Sequence, residues 1–255
     1  MRLFTWDTDR PMDIVLLGRI AIDFNPVDYF QTLAESTTFR KYLGGSPANI
    51  AVGMARLHHR VGFIGKISDD RFGDYVQEFF EKEGIDTSHV TRDKTGASLG
   101  LTFTEILSRD TSSILMYREG AADLMLSPHH VDEAYIANAK MLLLSGTALA
   151  KSPSREATLK AMLLARKTHT PIVFDADYRP YSWTDDEEAA LYMHLCARGA
   201  DILMGSRDEF DRMEAVAGLP GTDVASAAYW LDHGARLLVI KHGKQGSAAY
   251  TRQGV

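Results

Sequence analysis

The residues of this chain best suited to chemistry begin with Gly44-Gly45-Ser46-Pro47-Ala48-Asn49. Two glycines let backbone approach a ligand with no Cβ in the way. Ser46 is a good N-cap, and Pro47 suits the first helical position, where no N–H is needed. Ile50, Ala51, Met54, Ala55 and Leu57 follow at helical spacing. The stretch predicts a loop feeding a buried helix, with free N–H groups and the positive dipole end facing the loop. Asn49 falls in the first turn, where its amide offers both a donor and an acceptor. A polar small molecule held against exposed backbone suits this arrangement. A plain glycine-rich turn before a helix explains the same residues.

These groups need elements to hold them. Asp13 to Gly18, Val61 to Gly65, Met141 to Ser145, Ile172 to Asp175, Ile202 to Met204 and Leu237 to Ile240 are short apolar runs suited to buried strands. Helical segments lie between them. Phe72, Val76, Phe79 and Phe80 share one helical face, with Gly84 as the stop. Ser152-Pro153 opens another helix, Thr184 to Glu187 forms a capping box, and helices are expected over 206–217 and 225–232. Asp23 reads as part of a polar turn closed by Asn25 and Pro26, and Thr37 to Leu43 as a weak strand. Ser98 to Leu107 and Ser112 to Arg118 form a hairpin of half-covered strands, placed outside the main sheet as a flap. Alternating strands and helices imply a mostly parallel sheet covered on both faces, with ligands at the carboxyl ends of its strands. Asp175, Asp177, Gly205, Ser206 and Lys241 to Gly243 all fall there.

Composition narrows the function. The 255 residues, 45% hydrophobic, suffice for one large α/β domain. A net charge of −6 argues against nucleic acid or an anionic membrane as partner. No apolar run is long enough to span a bilayer, and the polar N-terminus lacks the apolar core of a signal peptide. The single cysteine, Cys196, forms no internal disulfide and sits in an apolar helical setting, so a cytoplasmic location is expected. Neither G-x-G-x-x-G nor G-x-x-x-x-G-K-[ST] occurs, which disfavours a dinucleotide dehydrogenase or P-loop enzyme. No Cys/His set has metal-ligand spacing; His58-His59 and His129-His130 are adjacent pairs on surface segments.

Several stretches taken together resemble the ribokinase (PfkB) family of sugar kinases. They are Gly44 to Ala51, Gly62 to Gly73, Asp175-Ala176-Asp177-Tyr178-Arg179-Pro180 with Trp183, Ser206-Arg207-Asp208-Glu209, and Ile240 to Ser247. The Asp175 to Trp183 segment is similar to that of the branch acting on keto-deoxy sugar acids. The resemblance implies a ribokinase-like three-layer α/β/α domain with a mostly parallel central sheet and a small β lid. It implies one such domain over 1–255, lacking its C-terminal part, with lid segments at about 19–43 and 96–120. The implied activity is ATP-dependent phosphorylation of a primary hydroxyl on a sugar acid, with magnesium at the phosphates. Neighbouring substrates in the family are 2-keto-3-deoxygluconate, fructose and nucleosides. Pairing of two lids into a homodimer is expected by analogy alone.

Residue by residue, the resemblance assigns sugar contacts to Asp23, Gly44, Gly45, Asn49 and Asp177, and nucleotide contacts to Ser206, Lys241, Gly243 and Gly246. It has Glu209 order a magnesium-bound water. Each has a plainer explanation: Glu209 completes a capping box with Ser206, Gly243 and Gly246 are turn glycines, and Asp177 is a cap. Arg118, at the end of the hairpin, and Arg179, just past a strand, match positions facing the substrate in acid-sugar kinases. A carboxylate favours a planar guanidinium fork, which a neutral sugar does not require; two surface arginines explain them equally well. Two departures stand out. Gly205 occupies the place of the family's usual Asn. The D-T-x-G-A-G-D segment, whose Asp activates the sugar hydroxyl, does not occur; it is expected beyond Val255, and a non-catalytic binder is the alternative.

Overall fold

Apolar residues point alternately to the two sides of the short central strands, and this alternation sets the layers. The computed structural model describes residues 3–254. In chain order its strands are Ile14–Leu17 (β1), Ala21–Pro26 (β2), Phe39–Gly44 (β3), Val61–Ile67 (β4), Asp86–Arg92 (β5), Gly100–Ile106 (β6), Ser112–Tyr117 (β7), Leu142–Ser145 (β8), Ile172–Asp175 (β9), Ile202–Ser206 (β10), Leu237–Lys241 (β11) and Ser247–Tyr250 (β12). Its α-helices are Ser46–Arg56 (α1), Arg71–Lys82 (α2), Glu133–Ala137 (α3), Ser154–Lys167 (α4), Asp186–Ala197 (α5), Arg207–Ala215 (α6) and Asp223–Asp232 (α7).

The main sheet runs β12-β11-β10-β9-β8-β1-β4-β5, parallel except for the β11–β12 pair. Val15, Leu17, Leu142, Leu144, Ile172 and Phe174 face the core formed with α3 to α7. Ile14, Leu16, Leu143 and Val173 face the opposite core, closed by Ala48, Ala51 and Val52 of α1 and Val76 and Phe80 of α2. Cys196 is buried on the first side among apolar groups, which raise its thiol pKa well above the usual range. No described helix is long and apolar enough to cross a membrane.

A second sheet, β3-β2-β6-β7, stands apart from the first. Asp23 belongs to it, within β2, and so is in a strand rather than the expected turn. The sequence carries the signal for this: Ile22 and Phe24 alternate with Asp23 and Asn25, a period-two pattern that Pro26 ends without preventing. Ile22, Phe24, Leu101 and Phe103 share one face, where Phe24 and Phe103 stack at 5.0 Å. The other face carries Asp23 opposite Thr102, which pairs in turn with Met116; the next row along joins Thr104 and Ile114.

Two local expectations shift. Helix α1 is capped by Gly45, with φ +95°, and not by Ser46, which is already helical. A Cβ at Gly45 would overlap the Arg19 carbonyl, so only glycine fits there. Helix α5 is capped by Asp185, which accepts from Glu188 N at 2.7 Å, one residue later than expected. Strand β5, assigned to no element from the sequence, has little apolar content, in keeping with its edge position.

Candidate active site

A cavity of about 510 Å³ lies where the two sheets meet. Its lining includes Asp23, Thr102 and Thr104 from the second sheet, Gly45, Ser46 and Asn49 at the start of α1, and Arg19 and Arg179. The expected sugar contacts Asp23, Gly45, Asn49 and Arg179 thus come together. Gly44 lies directly behind them: a Cβ there would overlap the Asp23 carboxylate. Burial raises the Asp23 pKa. The α1 N-terminus, beside the cavity, has no side-chain cap, so no side chain takes up its first N–H groups.

The β9 carboxyl end supplies the next group. Asp177 is buried and adopts φ +35°, an uncommon conformation for a residue with a Cβ. It accepts from Ser145 Oγ at 3.4 Å and pairs with Arg179 Nη2 at 2.7 Å. Arg179 is therefore held by a carboxylate while its guanidinium still lines the cavity. Asp175 receives a hydrogen bond from Ser46 Oγ at 3.5 Å, and Lys241 Nζ lies 3.7 Å from its other oxygen. These contacts connect the start of α1 to the β11 end. Burial is the main cause that pushes the Asp175 pKa up to about 6; Lys241 opposes it, and the neighbouring carboxylates Asp177 and Glu209 add to it.

Glu209 and Ser206 form the capping box read from the sequence: Ser206 Oγ accepts from Glu209 N at 3.3 Å, and Glu209 Oε2 accepts from Ser206 N at 2.6 Å. Glu209 Oε1 also accepts from Tyr178 N at 2.8 Å, fastening the loop after β9 to α6. Gly243 and Gly246 have positive φ in the turn before β12, with open space where a Cβ would stand. Gly205 packs against Ala176 and Phe210, a role that needs no side chain. The turn is steadied by Asp223, which accepts from His242 Nε2 at 2.8 Å and Tyr250 OH at 2.9 Å.

Arg118 does not meet the expectation of a free fork. It is 7% exposed and donates from Nε and Nη2 to Asp123, from Nη1 to Ser182 Oγ at 3.1 Å, and from Nη2 to the Thr147 carbonyl at 2.9 Å. It lines a neighbouring cavity of about 590 Å³ with Trp183, Tyr181 and Met116. A buried acid five residues along the chain takes it up, and no spacing rule shows that in advance.

Arg19 is the residue that sequence reading missed. It occupies the link between β1 and β2, at the end of a central strand of the main sheet and next to the point where strand order reverses. The signal was present: Arg19 is set between the apolar runs Val15-Leu16-Leu17 and Ile20-Ala21-Ile22, which must bury it.

With a two-sheet α/β architecture and this cleft in view, the chain belongs to the pfkB family of carbohydrate kinases: the family profile matches residues 12–255. It is 58% identical over 254 residues to a 5-dehydro-2-deoxygluconokinase of Clostridium perfringens, spanning 100% of this chain and 75% of that relative. The crystal structure of a PfkB protein from Polaromonas matches with TM-score 0.86 and 27% identity, over 95% of this chain and 81% of that one. A fructokinase from Xylella fastidiosa with bound ATP matches with TM-score 0.82 and 26% identity, over 95% and 76%.

Proposed function

We propose that this protein transfers the γ-phosphoryl group of ATP to the primary hydroxyl of a keto-deoxy sugar acid, 5-dehydro-2-deoxy-D-gluconate, in inositol breakdown. The observation that carries the reading is the cavity's composition: a guanidinium, Arg179, shares it with the hydroxyl-binding groups Asp23 and Asn49. A neutral sugar needs the second set alone; an acid sugar uses both. The name of the 58%-identical relative supports the same substrate.

In this reading the sugar lies between the second sheet and the α1 N-terminus. Asp23 accepts from sugar hydroxyls, Asn49 and open N–H groups donate to them, and Arg179 holds the carboxylate. Lys241, Ser206, Gly243 and Gly246 receive the nucleotide at the β10 and β11 ends; that a fold neighbour was crystallised with bound ATP supports ATP as the donor. Lys241 is half exposed and leans toward Asp175, so it is free to swing to phosphate. Little covalent work falls to the protein; positioning and charge neutralisation do most of it. The second sheet, with segments at about 19–43 and 96–120, acts as a lid that excludes water.

No group of three or more acidic, His or Cys side chains able to hold a metal exists among the described residues. The chain fits magnesium carried on phosphate oxygens and water, with Glu209 as an outer partner through its remaining lone pairs. When bound, the ion would neutralise phosphate charge. Tyr29, Phe30, Tyr42, Leu115 and Tyr117 expose apolar surface on and beside the second sheet, which supports pairing of two lids in a homodimer. The buried, unpaired Cys196 is compatible with the cytoplasm.

The test is ATP turnover by the purified protein with 5-dehydro-2-deoxygluconate, 2-keto-3-deoxygluconate, fructose and a nucleoside. The first should exceed fructose in kcat/KM by at least about 100-fold. Fructose or the nucleoside turned over as well as the acid would overturn the proposal.

A further inference from the structure

Arg19 is a cation buried without an acid of its own. It is 6% exposed. Its Nη1 donates to Met116 Sδ at 3.1 Å, a weak acceptor, and its Nε is buried with no partner. Among the described residues it forms no ion pair. The charged groups around it are accounted for elsewhere. Asp123 is bound by Arg118, and Asp177 by Arg179 and Ser145. Asp23 shares the cavity with Arg19 but does not pair with it. The Arg118 guanidinium repels Arg19, and Tyr181 offers only a phenol. Burial, aided by Arg118, lowers the Arg19 pKa, yet an arginine so placed remains charged.

Taking a guanidinium out of water costs several kcal/mol unless an anion meets it. Arg19 lines the cavity between the sheets, and the Nε of its guanidinium is left without a hydrogen-bond partner. We infer that Arg19 is a specificity-determining residue that binds the carboxylate of the substrate, bracketing it with Arg179 in the cavity between the two sheets. This inference rests on the acid-sugar reading above and extends it to a residue outside the family resemblance. The position also suits selection. Gly45 closes against the Arg19 carbonyl, so the backbone holding the fork is fixed by the same loop that meets the sugar. A substrate with a neutral end would leave Arg19 desolvated and unpaired, and so would bind weakly.

The experiment compares wild type, Arg19→Gln and Arg19→Lys in the full chain. KM is measured for 5-dehydro-2-deoxygluconate, D-fructose and ATP. Arg19→Gln should raise KM for the acid by about 30-fold or more, while KM for fructose and ATP moves less than about 3-fold. Arg19→Lys should recover part of the loss, since it keeps the charge but not the fork. Equal shifts for acid and fructose, or no shift, would overturn the inference. If wild type phosphorylates no sugar acid, the functional reading fails separately, and thermal shift with D-gluconate decides Arg19. Stabilisation of wild type but not of Arg19→Gln supports the site; equal behaviour overturns it.

Discussion

Two cavities share Met116; Arg118 lines one, and Arg19, together with Arg179, lines the other. Arg118 and Arg19 are buried almost equally, at 7% and 6% exposure, yet their surroundings are opposite. Arg118 has a carboxylate, a hydroxyl and a carbonyl on its fork. Arg19 has a thioether. Burial alone therefore does not mark a functional charge; unmet bonding capacity does. The saturated arginine braces the scaffold beside Thr147 and Ser182, and the unsaturated one lines the cavity between the sheets.

The largest expected effect separates these roles by stability. Arg118→Met strands Asp123 as an unpaired buried acid and should cost about 3–5 kcal/mol in urea unfolding. Arg19→Met strands nothing and should cost less than about 1 kcal/mol, or stabilise the fold. Equal losses would erase the contrast.

A smaller effect extends the comparison to acids. The folded pKa of Asp175, about 6, lies above its ordinary value of 3.8. Folding thus favours its protonated form. That contribution is fully present below pH 3.8 and is lost as pH rises through 6. The stability of wild type minus that of Asp175→Asn should fall by about 2 kcal/mol between pH 4 and 7. A constant difference would show that Lys241 already offsets the burial.

Much of this was legible in the chain. Apolar runs such as Ile172 to Asp175 and Leu237 to Ile240 identified the sheet because strands buried on both faces carry little else. The Ser206–Glu209 box was legible because its partners are three residues apart. Asn49, Asp23, Gly45 and Arg179 were named as sugar contacts through the resemblance alone, and they line one cavity; spacing could not show that, since their juxtaposition depends on two sheets meeting. Asp23 was misplaced in a turn because Pro26 and Asn25 outweighed a short alternation. Arg118 and Arg19 could not be told apart by spacing. Their difference lies in the position of Asp123 and in a β1–β2 link that only the assembled fold brings to the cavity.

The most direct test is a crystal structure of the protein with 5-dehydro-2-deoxygluconate. The carboxylate should lie within hydrogen-bond distance, about 3 Å, of both the Arg19 and Arg179 guanidinium groups, with Asp23 and Asn49 on the hydroxyls. A carboxylate seated against Arg118, or left in solvent while Arg19 Nε stays unpaired, would contradict it.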